Sequence, residues 1–253
     1  GSFDLAKVML QAAKDSGAKA VKFQKRSNKD LFQPILFNQD YDNRNSFGDT
    51  YGEHRDNLEL DIQELSKLKD IADQLSIDFI ATPFDIPSLE SLIKINVPYI
   101  KIASADLVHT PFLEEVSRYN KPCILSTGAS SYEDITRAVN IFKTRSIPLI
   151  ILHCTASYPC KIEDMNLNCI SRLQEMYPEY NIGFSDHENG IDAASVAYML
   201  GARVFEKHFT LNRAYKGTDN SFSLEPEGLK KMIRNLNRIS ILLGDGNKRI
   251  LES

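Results

Sequence analysis

Short apolar runs alternate along the chain with longer segments in which apolar and polar residues recur at helical spacing. Runs of five to seven residues that are apolar through most of their first part predict seven strands: Ala20–Gln24, Asp78–Phe84, Tyr99–Ser104, Pro122–Gly128, Leu149–Thr155, Asn181–His187 and Arg203–Phe209. Nearly continuous apolar runs of this length are typical of parallel strands that are buried on both faces. The pattern therefore predicts a parallel sheet.

The amphipathic segments predict helices between these strands. They are Asp61–Leu75, Pro87–Ile95, Pro111–Tyr119, Tyr132–Lys143, Glu163–Tyr177, Gly190–Leu200 and Pro226–Leu243. One more helix, Asp4–Ser16, comes before the first strand and ends at Gly17, a residue type that often terminates helices. The polar stretch Phe37–Leu58, rich in Asn, Asp and Gly, is predicted to be a loop over the mouth of the fold.

Regular strand–helix alternation, at roughly 20–30 residues per unit, favours a (β/α)8 TIM barrel over a doubly wound sheet. A closed barrel of this kind needs eight strands. The pattern predicts seven and begins with a helix, so we expect the first strand to be missing from this chain. Residues 1–243 are predicted to form the barrel domain, and residues 244–253 the start of a linker.

Composition narrows the classes of protein to consider. The 253 residues are 42% hydrophobic and 25% charged, which is ordinary for a globular protein with a large core. The net charge of −4 argues against binding to nucleic acid or to an anionic membrane, although it allows a local pocket for a small anion. No run of about 18 apolar residues predicts a membrane span. The four cysteines lack metal-ligand spacing, which favours free thiols and a cytoplasmic location.

Polar side chains collect where the predicted strands end, which is where catalytic groups lie in a barrel of this kind. Along the seven strands in order, they are Lys22 and Gln24; Thr82; Lys101 and Ser104; Ser126 and Thr127; His153 and Thr155; Ser185, Asp186 and His187; and Glu206 and His208. A single polar strand end is more often a satisfied hydrogen bond within the barrel. Seven in succession favour a functional site.

His187 and His208 end consecutive strands, which would lie about 4.8 Å apart in a barrel. Two imidazoles at that separation can share a metal ion, with water and substrate in the remaining positions. An ion that tolerates octahedral coordination, such as Mn²⁺, would fit. The alternative is two unrelated polar histidines.

Two lysines, Lys22 and Lys101, are predicted inside the barrel, where lysines rarely lie without a partner. A bound phosphate or carboxylate is one possible partner, and the hydroxyl groups that would help to hold it belong to Thr82, Ser104, Ser126 and Ser185. Lys101 and Ser104 can face the same way only if their strand bends or ends between them. The alternatives are a lysine that forms a Schiff base, or ion pairs with Glu206 or Asp106.

Asp219 lies in a polar loop that follows the last predicted strand and overhangs the proposed metal site. Its carboxylate could hold the hydroxyl groups of a sugar. An ordinary turn stabilised by the Asp side chain is the simpler interpretation from spacing alone.

Eight segments of the chain, taken in order, resemble the N-acetylneuraminate (sialic acid) synthase family. They are GAKAVKFQ, YGEHRDNLEL, IKIASAD, ILSTGAS, LHCTASYP, IGFSDHENGI, EKHFTL and KGTDNSFSLEP. The resemblance covers nearly the whole chain. It implies a transferase that condenses phosphoenolpyruvate with the open-chain aldehyde of an N-acetylhexosamine, such as N-acetylmannosamine, to give a nine-carbon 2-keto acid and phosphate.

The resemblance also implies a role for individual residues. His187 and His208 match the ligands of a divalent metal, Mn²⁺ with Mg²⁺ or Co²⁺ as alternatives. The positions that match the phosphoenolpyruvate site are Lys22, Thr82, Lys101, Ser104, Ser126 and Ser185. The positions that match the surroundings of the sugar and the reacting carbons are Gln24, Asp106, Tyr158 and Asp219.

The family pattern extends beyond this sequence and differs from it at two positions. The pattern includes an upstream strand that carries a Glu and an Asn-His pair. It also includes a C-terminal antifreeze-like domain that supplies an Arg to the partner's active site, so the resemblance implies a homodimer in the full-length protein. Many members carry Asn where this chain has Ala156 and Glu where it has Asp106, which leaves the identity of the sugar open.

Other classes of function stay open at this point. A Schiff-base aldolase or lyase on the same barrel would need no metal and would trap its substrate on borohydride reduction. A metal-dependent hydrolase would normally show a His-x-His pair on its first strand and an Asp on its last. A barrel used only for binding or assembly would be expected to lose Lys22, Lys101, His187 and His208, and all four are present.

Overall fold

The computed structural model, which describes residues 1–250, contains one curved sheet of seven parallel strands. They are β1 (Ala20–Lys25), β2 (Asp78–Pro83), β3 (Ile100–Ile102), β4 (Cys123–Ser126), β5 (Leu149–Cys154), β6 (Asn181–Asp186) and β7 (Val204–Lys207). Each strand pairs with the next one along the chain. The predicted parallel strands are therefore confirmed at all seven segments.

The curvature brings the first and last strands face to face. Lys22 Nζ on β1 lies 4.0 Å from Glu206 Oε2 on β7, although the described residues show no backbone pairing between these two strands. The sheet is therefore an incomplete barrel with two free edges. The absence of a first strand from the chain stays a prediction.

Within residues 1–250, eleven helices surround the sheet, and the three short ones between residues 28 and 58 pack on one another in the connection that follows β1. The eleven helices are α1 (Phe3–Asp15), α2 (Asn28–Leu31), α3 (Pro34–Phe37), α4 (Tyr51–Leu58), α5 (Ile62–Gln74), α6 (Ile86–Lys94), α7 (Thr110–Arg118), α8 (Tyr132–Lys143), α9 (Cys169–Met176), α10 (Asp192–Met199) and α11 (Pro226–Leu243). The starts of α4, α5 and α8 are fixed by capping boxes, in which an N-cap side chain and an acidic residue three positions later satisfy each other's backbone N–H groups.

Two apolar layers position the polar strand ends. The larger layer lies between the strands and the helices and includes Phe79, Ile100 and Phe142. The smaller one, built on Ile80, Ile124 and Leu152, forms a second apolar cluster on the alternate side chains of β2, β4 and β5. Because side chains alternate along a strand, Thr82, Ser126 and Cys154 share the face of this smaller cluster and follow it toward the carboxyl ends. The polar groups therefore lie next to a layer of apolar side chains.

Two sequence predictions about the connections are wrong. The stretch Phe37–Leu58 is not all loop, because α4 occupies its last eight residues behind the Thr50–Glu53 capping box. The predicted helix Glu163–Tyr177 begins only at Cys169, because Asn166 adopts a left-handed conformation with a φ of 42° that interrupts a right-handed helix.

Two broader features agree with the composition. None of the helices within residues 1–250 is long and apolar enough to cross a membrane. The four cysteines lie in the described range, and each carries a free thiol.

Candidate active site

The ammonium group of Lys101 is buried at the carboxyl end of the sheet. Its Nζ donates hydrogen bonds to Ser126 Oγ at 2.6 Å and to the Ile102 carbonyl at 3.1 Å, and the residue is 3% exposed. Burial lowers the pKa of Lys101, because a charged group is costly to remove from water. The ammonium group therefore lies in a pocket where a further negative charge would stabilise it.

Glu206 lies between the two lysines. Its carboxylate is 3.8 Å from Lys101 Nζ and 4.0 Å from Lys22 Nζ, and it accepts a hydrogen bond of 2.9 Å from Ser185 Oγ. Burial favours a raised pKa for Glu206, but Lys101 and Lys22 outweigh it and lower the pKa to about 2. The proposed ion pairs with Glu206 are therefore present, whereas Asp106 pairs with neither lysine within the described residues.

Ser104 reaches the same end of the sheet because β3 stops at Ile102 and a 3₁₀ turn begins at Ser104. Its Oγ accepts a hydrogen bond of 2.9 Å from the Gly128 N–H and lies 3.7 Å from Cys154 Sγ. A Cβ atom at Gly128 would lie 2.9 Å from both the Ser104 Oγ and the Ala156 Cβ. This crowding requires glycine at position 128 while Ser104 and Ala156 keep their places.

His187 and His208 converge, as the sequence predicts. Their ring centroids are 5.3 Å apart and their planes meet at 76°. His187 Nδ1 is 2.8 Å from the Thr155 carbonyl, and His208 Nδ1 is 3.6 Å from Asp219 Oδ2. Burial lowers the pKa of both rings, that of His208 to about 4, so both are neutral near pH 7.

The donor set at these histidines fits a divalent metal ion. Neutral imidazoles are the form that binds metals, and in His187 the contact of Nδ1 with the Thr155 carbonyl leaves the Nε2 lone pair free. Within residues 1–250, no group of three His, Cys, Asp or Glu side chains could hold an ion. Two protein ligands would therefore have to be completed by water or substrate, which suits an oxygen-preferring ion better than a closed tetrahedral zinc site.

Aromatic rings line the approach to the histidines. The Tyr158 ring centroid lies 4.2 Å from that of His187, and the Phe222 centroid lies 5.1 Å from that of His208. Tyr158 is 53% exposed as a whole, yet the desolvation of its phenol raises its pKa to about 12. Its hydroxyl is therefore protonated near pH 7 and can donate a hydrogen bond to a ligand.

Two buried polar atoms on the β2–β3 side have no partner. Thr82 Oγ1 and Asp106 Oδ2 each lack a hydrogen bond, and the two residues are 1% and 9% exposed. Burial raises the pKa of Asp106 to about 6. An unpartnered buried oxygen is costly, so these positions are the ones that a ligand would satisfy.

Gln24 and Asp219 lie at the rim rather than inside. The Gln24 side chain is exposed, and its Oε1 accepts a hydrogen bond of 2.6 Å from Arg26. Asp219 has one oxygen near His208 and accepts a hydrogen bond of 2.8 Å from Thr218 on the other. Asp219 therefore lies beside His208, and its role in holding a sugar stays a prediction. Among the described residues its carboxylate accepts no backbone N–H, so the expected turn is not formed by its side chain.

Sequence reasoning missed two residues that organise this site, Arg26 and Lys207. Arg26, which lies over the ring of Phe84 at 3.9 Å from its centroid, holds Gln24 and was not considered. Glu206 entered only as a possible ion-pair partner. Lys207 was missed as the partner of Asp186, although each directly precedes one of the two histidines, which is the signal that could have found it.

A separate cavity of about 580 Å³ lies against the outer side of β5. Residues that line it include Thr127, Tyr132, His153, Cys154, Ala156 and Cys169. Thr127, His153 and Thr155 of the polar strand ends line this cavity, but none of the twelve positions that the family resemblance assigns to the site does. The polar cluster on the inner side is therefore the candidate active site.

Comparisons with known proteins identify relatives that match nearly the whole chain. The model of the NeuB family matches residues 9–248. N-acetylneuraminate-9-phosphate synthase of Mus musculus is 36% identical over 99% of this chain and 70% of its own length. N,N'-diacetyllegionaminic acid synthase of Campylobacter jejuni is 34% identical over 100% of this chain and 77% of its own.

A solved structure is similar as well. The crystal structure of N-acetylneuraminic acid synthetase from Leptospira borgpetersenii, in complex with citrate, superimposes with a TM-score of 0.85. It is 35% identical and the match covers 98% of this chain and 82% of that one. Sequence and fold therefore point to the same relatives.

Proposed function

Because the chain belongs to the NeuB family, we propose that it is a synthase that condenses phosphoenolpyruvate with the open-chain aldehyde of an N-acetylhexosamine. The products are a nine-carbon 2-keto acid and phosphate. The enol carbon of phosphoenolpyruvate bonds to the aldehyde carbon, water adds at the neighbouring carbon, and the C–O bond to phosphate breaks. One water is consumed and the atoms balance.

The observation that carries this proposal is the arrangement of two lysines beside two neutral histidines at one end of the sheet. Phosphoenolpyruvate is a compact polyanion, and Lys22 and Lys101 supply the positive charges that it needs. The hydroxyl groups that would bind its phosphate and carboxylate oxygens are those of Thr82, Ser104, Ser126 and Ser185. The carboxylate of Glu206 already lies within 4.0 Å of both ammonium groups, which supports their access to an oxyanion.

The acceptor sugar would lie between Asp106 on the β2–β3 side and Tyr158 beside the histidines, with Gln24 and Asp219 at the rim. The Asp106 carboxyl, with a pKa of about 6, can hold or release a proton near neutral pH. Tyr158 is protonated and can donate to the acceptor, and Asp219 can accept hydrogen bonds from sugar hydroxyl groups. These groups would orient the aldehyde toward the enol carbon.

His187 and His208 would hold the divalent ion, Mn²⁺ with Mg²⁺ or Co²⁺ as alternatives. Such an ion, when bound, supplies Lewis-acid polarisation of a carbonyl oxygen. The histidines' own part is to remain neutral, and the contact of His187 Nδ1 with the Thr155 carbonyl would leave the other ring nitrogen of His187 for the ion.

We further propose that the curved sheet belongs to a (β/α)8 barrel in which an eighth strand pairs with β1 and β7. The free backbone groups on the facing edges of these strands support this, since such edges are usually paired or covered. The domain limits at residues 243 and 244, the homodimer and the cytoplasmic location stay predictions.

The test is a phosphate-release assay with phosphoenolpyruvate, Mn²⁺ and a panel of hexosamines, both plain and 6-phosphorylated. We expect phosphate and a nine-carbon 2-keto acid, identified by mass spectrometry, in equal amounts with at least one acceptor. Phosphate release without a condensed product would favour a hydrolase. Covalent capture of substrate on Lys22 or Lys101 by borohydride would favour the Schiff-base alternative instead.

A further inference from the structure

A buried ion pair joins the ends of β6 and β7 immediately before the two histidines. Lys207 Nζ lies 2.6 Å from Asp186 Oδ2, and both side chains are only 3% exposed. The two residues are directly opposite each other in the parallel register of the strands. The residues that follow them in the chain are His187 and His208.

The same pair also holds the backbone on the far side of His187. Lys207 Nζ donates to the Glu188 carbonyl, and Asp186 Oδ1 accepts a hydrogen bond of 2.8 Å from the Glu188 N–H. The His187 carbonyl itself accepts a hydrogen bond of 2.9 Å from the Cys160 N–H. Residues 186 to 188 are thus fixed on both sides of the imidazole.

Stability alone does not explain an ion pair in this position. A buried pair loses the hydration of two charges, and well-packed apolar side chains of similar size often stabilise a fold equally well. What apolar side chains cannot supply is direction, because a hydrogen bond between fixed partners favours one distance and one angle. The pair therefore orients the two strand ends rather than stabilising the fold.

We propose that Asp186 and Lys207 are positioning residues that set the spacing and orientation of His187 and His208 for a divalent metal ion. Neither side chain touches the ion or the substrate in this role. The inference rests on the proposed function, since it assumes that the histidines bind a metal.

The test replaces the pair with apolar side chains of similar length, in the double variant Asp186→Leu/Lys207→Met. Removing both charges avoids leaving one buried charge unpaired. We expect the double variant to melt close to the parent protein but to bind Mn²⁺ about 10- to 100-fold more weakly, as is typical when groups that orient metal ligands are lost. The readouts are calorimetric titration and the electron paramagnetic resonance of Mn²⁺, with no substrate present.

Lys25→Met is the matched control, because Lys25 forms a half-buried ion pair with Glu59 at 3.2 Å on a different strand. This variant should lose stability without changing Mn²⁺ affinity. Unchanged Mn²⁺ affinity in the double variant, with the parent binding normally, would overturn the positioning role alone. Absence of Mn²⁺ binding by the parent protein would overturn both this role and the metal part of the proposed function.

Discussion

The two sides of the candidate site differ in how their polar groups are satisfied. On the β6–β7 side, Ser185 and His187 each have a hydrogen-bond partner, namely Glu206 and the Thr155 carbonyl, and His208 Nδ1 lies 3.6 Å from Asp219 Oδ2. On the β2–β3 side, Thr82 and Asp106 each bury an oxygen that has none. Each unpartnered buried group costs about 1–3 kcal/mol.

This difference indicates that the two sides of the site contribute differently to ligand binding. On the β6–β7 side, hydrogen bonds within the protein already hold Ser185 and His187 in place. On the β2–β3 side, a ligand that forms hydrogen bonds with the unpartnered oxygens gains binding energy that the free protein lacks. Substitutions on the two sides should therefore differ in their effect on stability.

The largest effect is expected on the β6–β7 side. His208→Ala should lower metal-dependent turnover at least about 10⁴-fold, which is more than about 5 kcal/mol, because one of two protein ligands is lost. Steady-state kinetics with added Mn²⁺ measure this, and thermal melting should show an intact fold. Full activity of the parent protein after exhaustive chelation would contradict the assignment.

Lys101→Met should lower kcat/KM for phosphoenolpyruvate about 10³-fold, or about 4 kcal/mol, because a buried charge-assisted contact is removed. The loss should appear mainly as a raised KM in initial-rate measurements. Lys14→Met is the control, because Lys14 donates to the Ser76 carbonyl far from the site and should leave both constants unchanged. An equal loss in both variants would argue against a role for Lys101 in substrate binding.

Asp106→Asn tests the β2–β3 side through the dependence of stability on pH. The folded-state pKa of about 6 lies above the ordinary value of 3.8, so folding favours the protonated form. Relative to the Asn variant, the wild-type protein should therefore lose up to about 3 kcal/mol of stability as pH rises from below 4 to above 6, because other groups such as His208 titrate in both proteins and cancel in the difference. Urea unfolding of both proteins from pH 4 to 8 measures this, and a constant difference between them would refute the raised pKa.

The smallest effect and the sharpest comparison come from Thr82→Val. Replacing the unpartnered hydroxyl group with a methyl group should stabilise the fold by about 1 kcal/mol and raise the KM for phosphoenolpyruvate about 10-fold. Ser88→Ala is the matched control, because Ser88 Oγ is also buried without a partner but lies in α6, outside the site. Ser88→Ala should leave KM unchanged, and a KM shift of the same size there would remove the distinction between the two hydroxyl groups.

The strands were predictable from the sequence because each contains a short apolar run, a signal that does not depend on distant partners. The strands β2 to β6 are mostly buried, whereas β1 and β7 at the edges are only half-buried. The helix Tyr51–Leu58 was missed because its residues are mostly polar and its stripe of apolar positions is weak. Its capping box at Thr50 and Glu53 was a readable signal. The break at Asn166 depends on a left-handed backbone that no periodicity reports.

The convergence of His187 and His208 was predictable because consecutive parallel strands place their ends side by side. The position of Glu206 between Lys22 and Lys101 was not, because β1, β3 and β7 are distant in the chain and meet only through the curvature of the sheet. The missing partners of Thr82 and Asp106 likewise depend on atomic distances. The roles of all these residues in catalysis stay predictions until the variants are measured.

The crowding at Gly128 restricts the order in which this site can change during evolution. A side chain at position 128 would collide with Ser104 and Ala156, which come from the ends of two other strands. A mutation to any larger residue at 128 is therefore accessible only after positions 104 and 156 have both moved or become smaller. The three positions are expected to vary together rather than singly, so an alignment of many relatives should show correlated changes among them, and new acceptor specificities that enlarge residue 156 should retain glycine at 128.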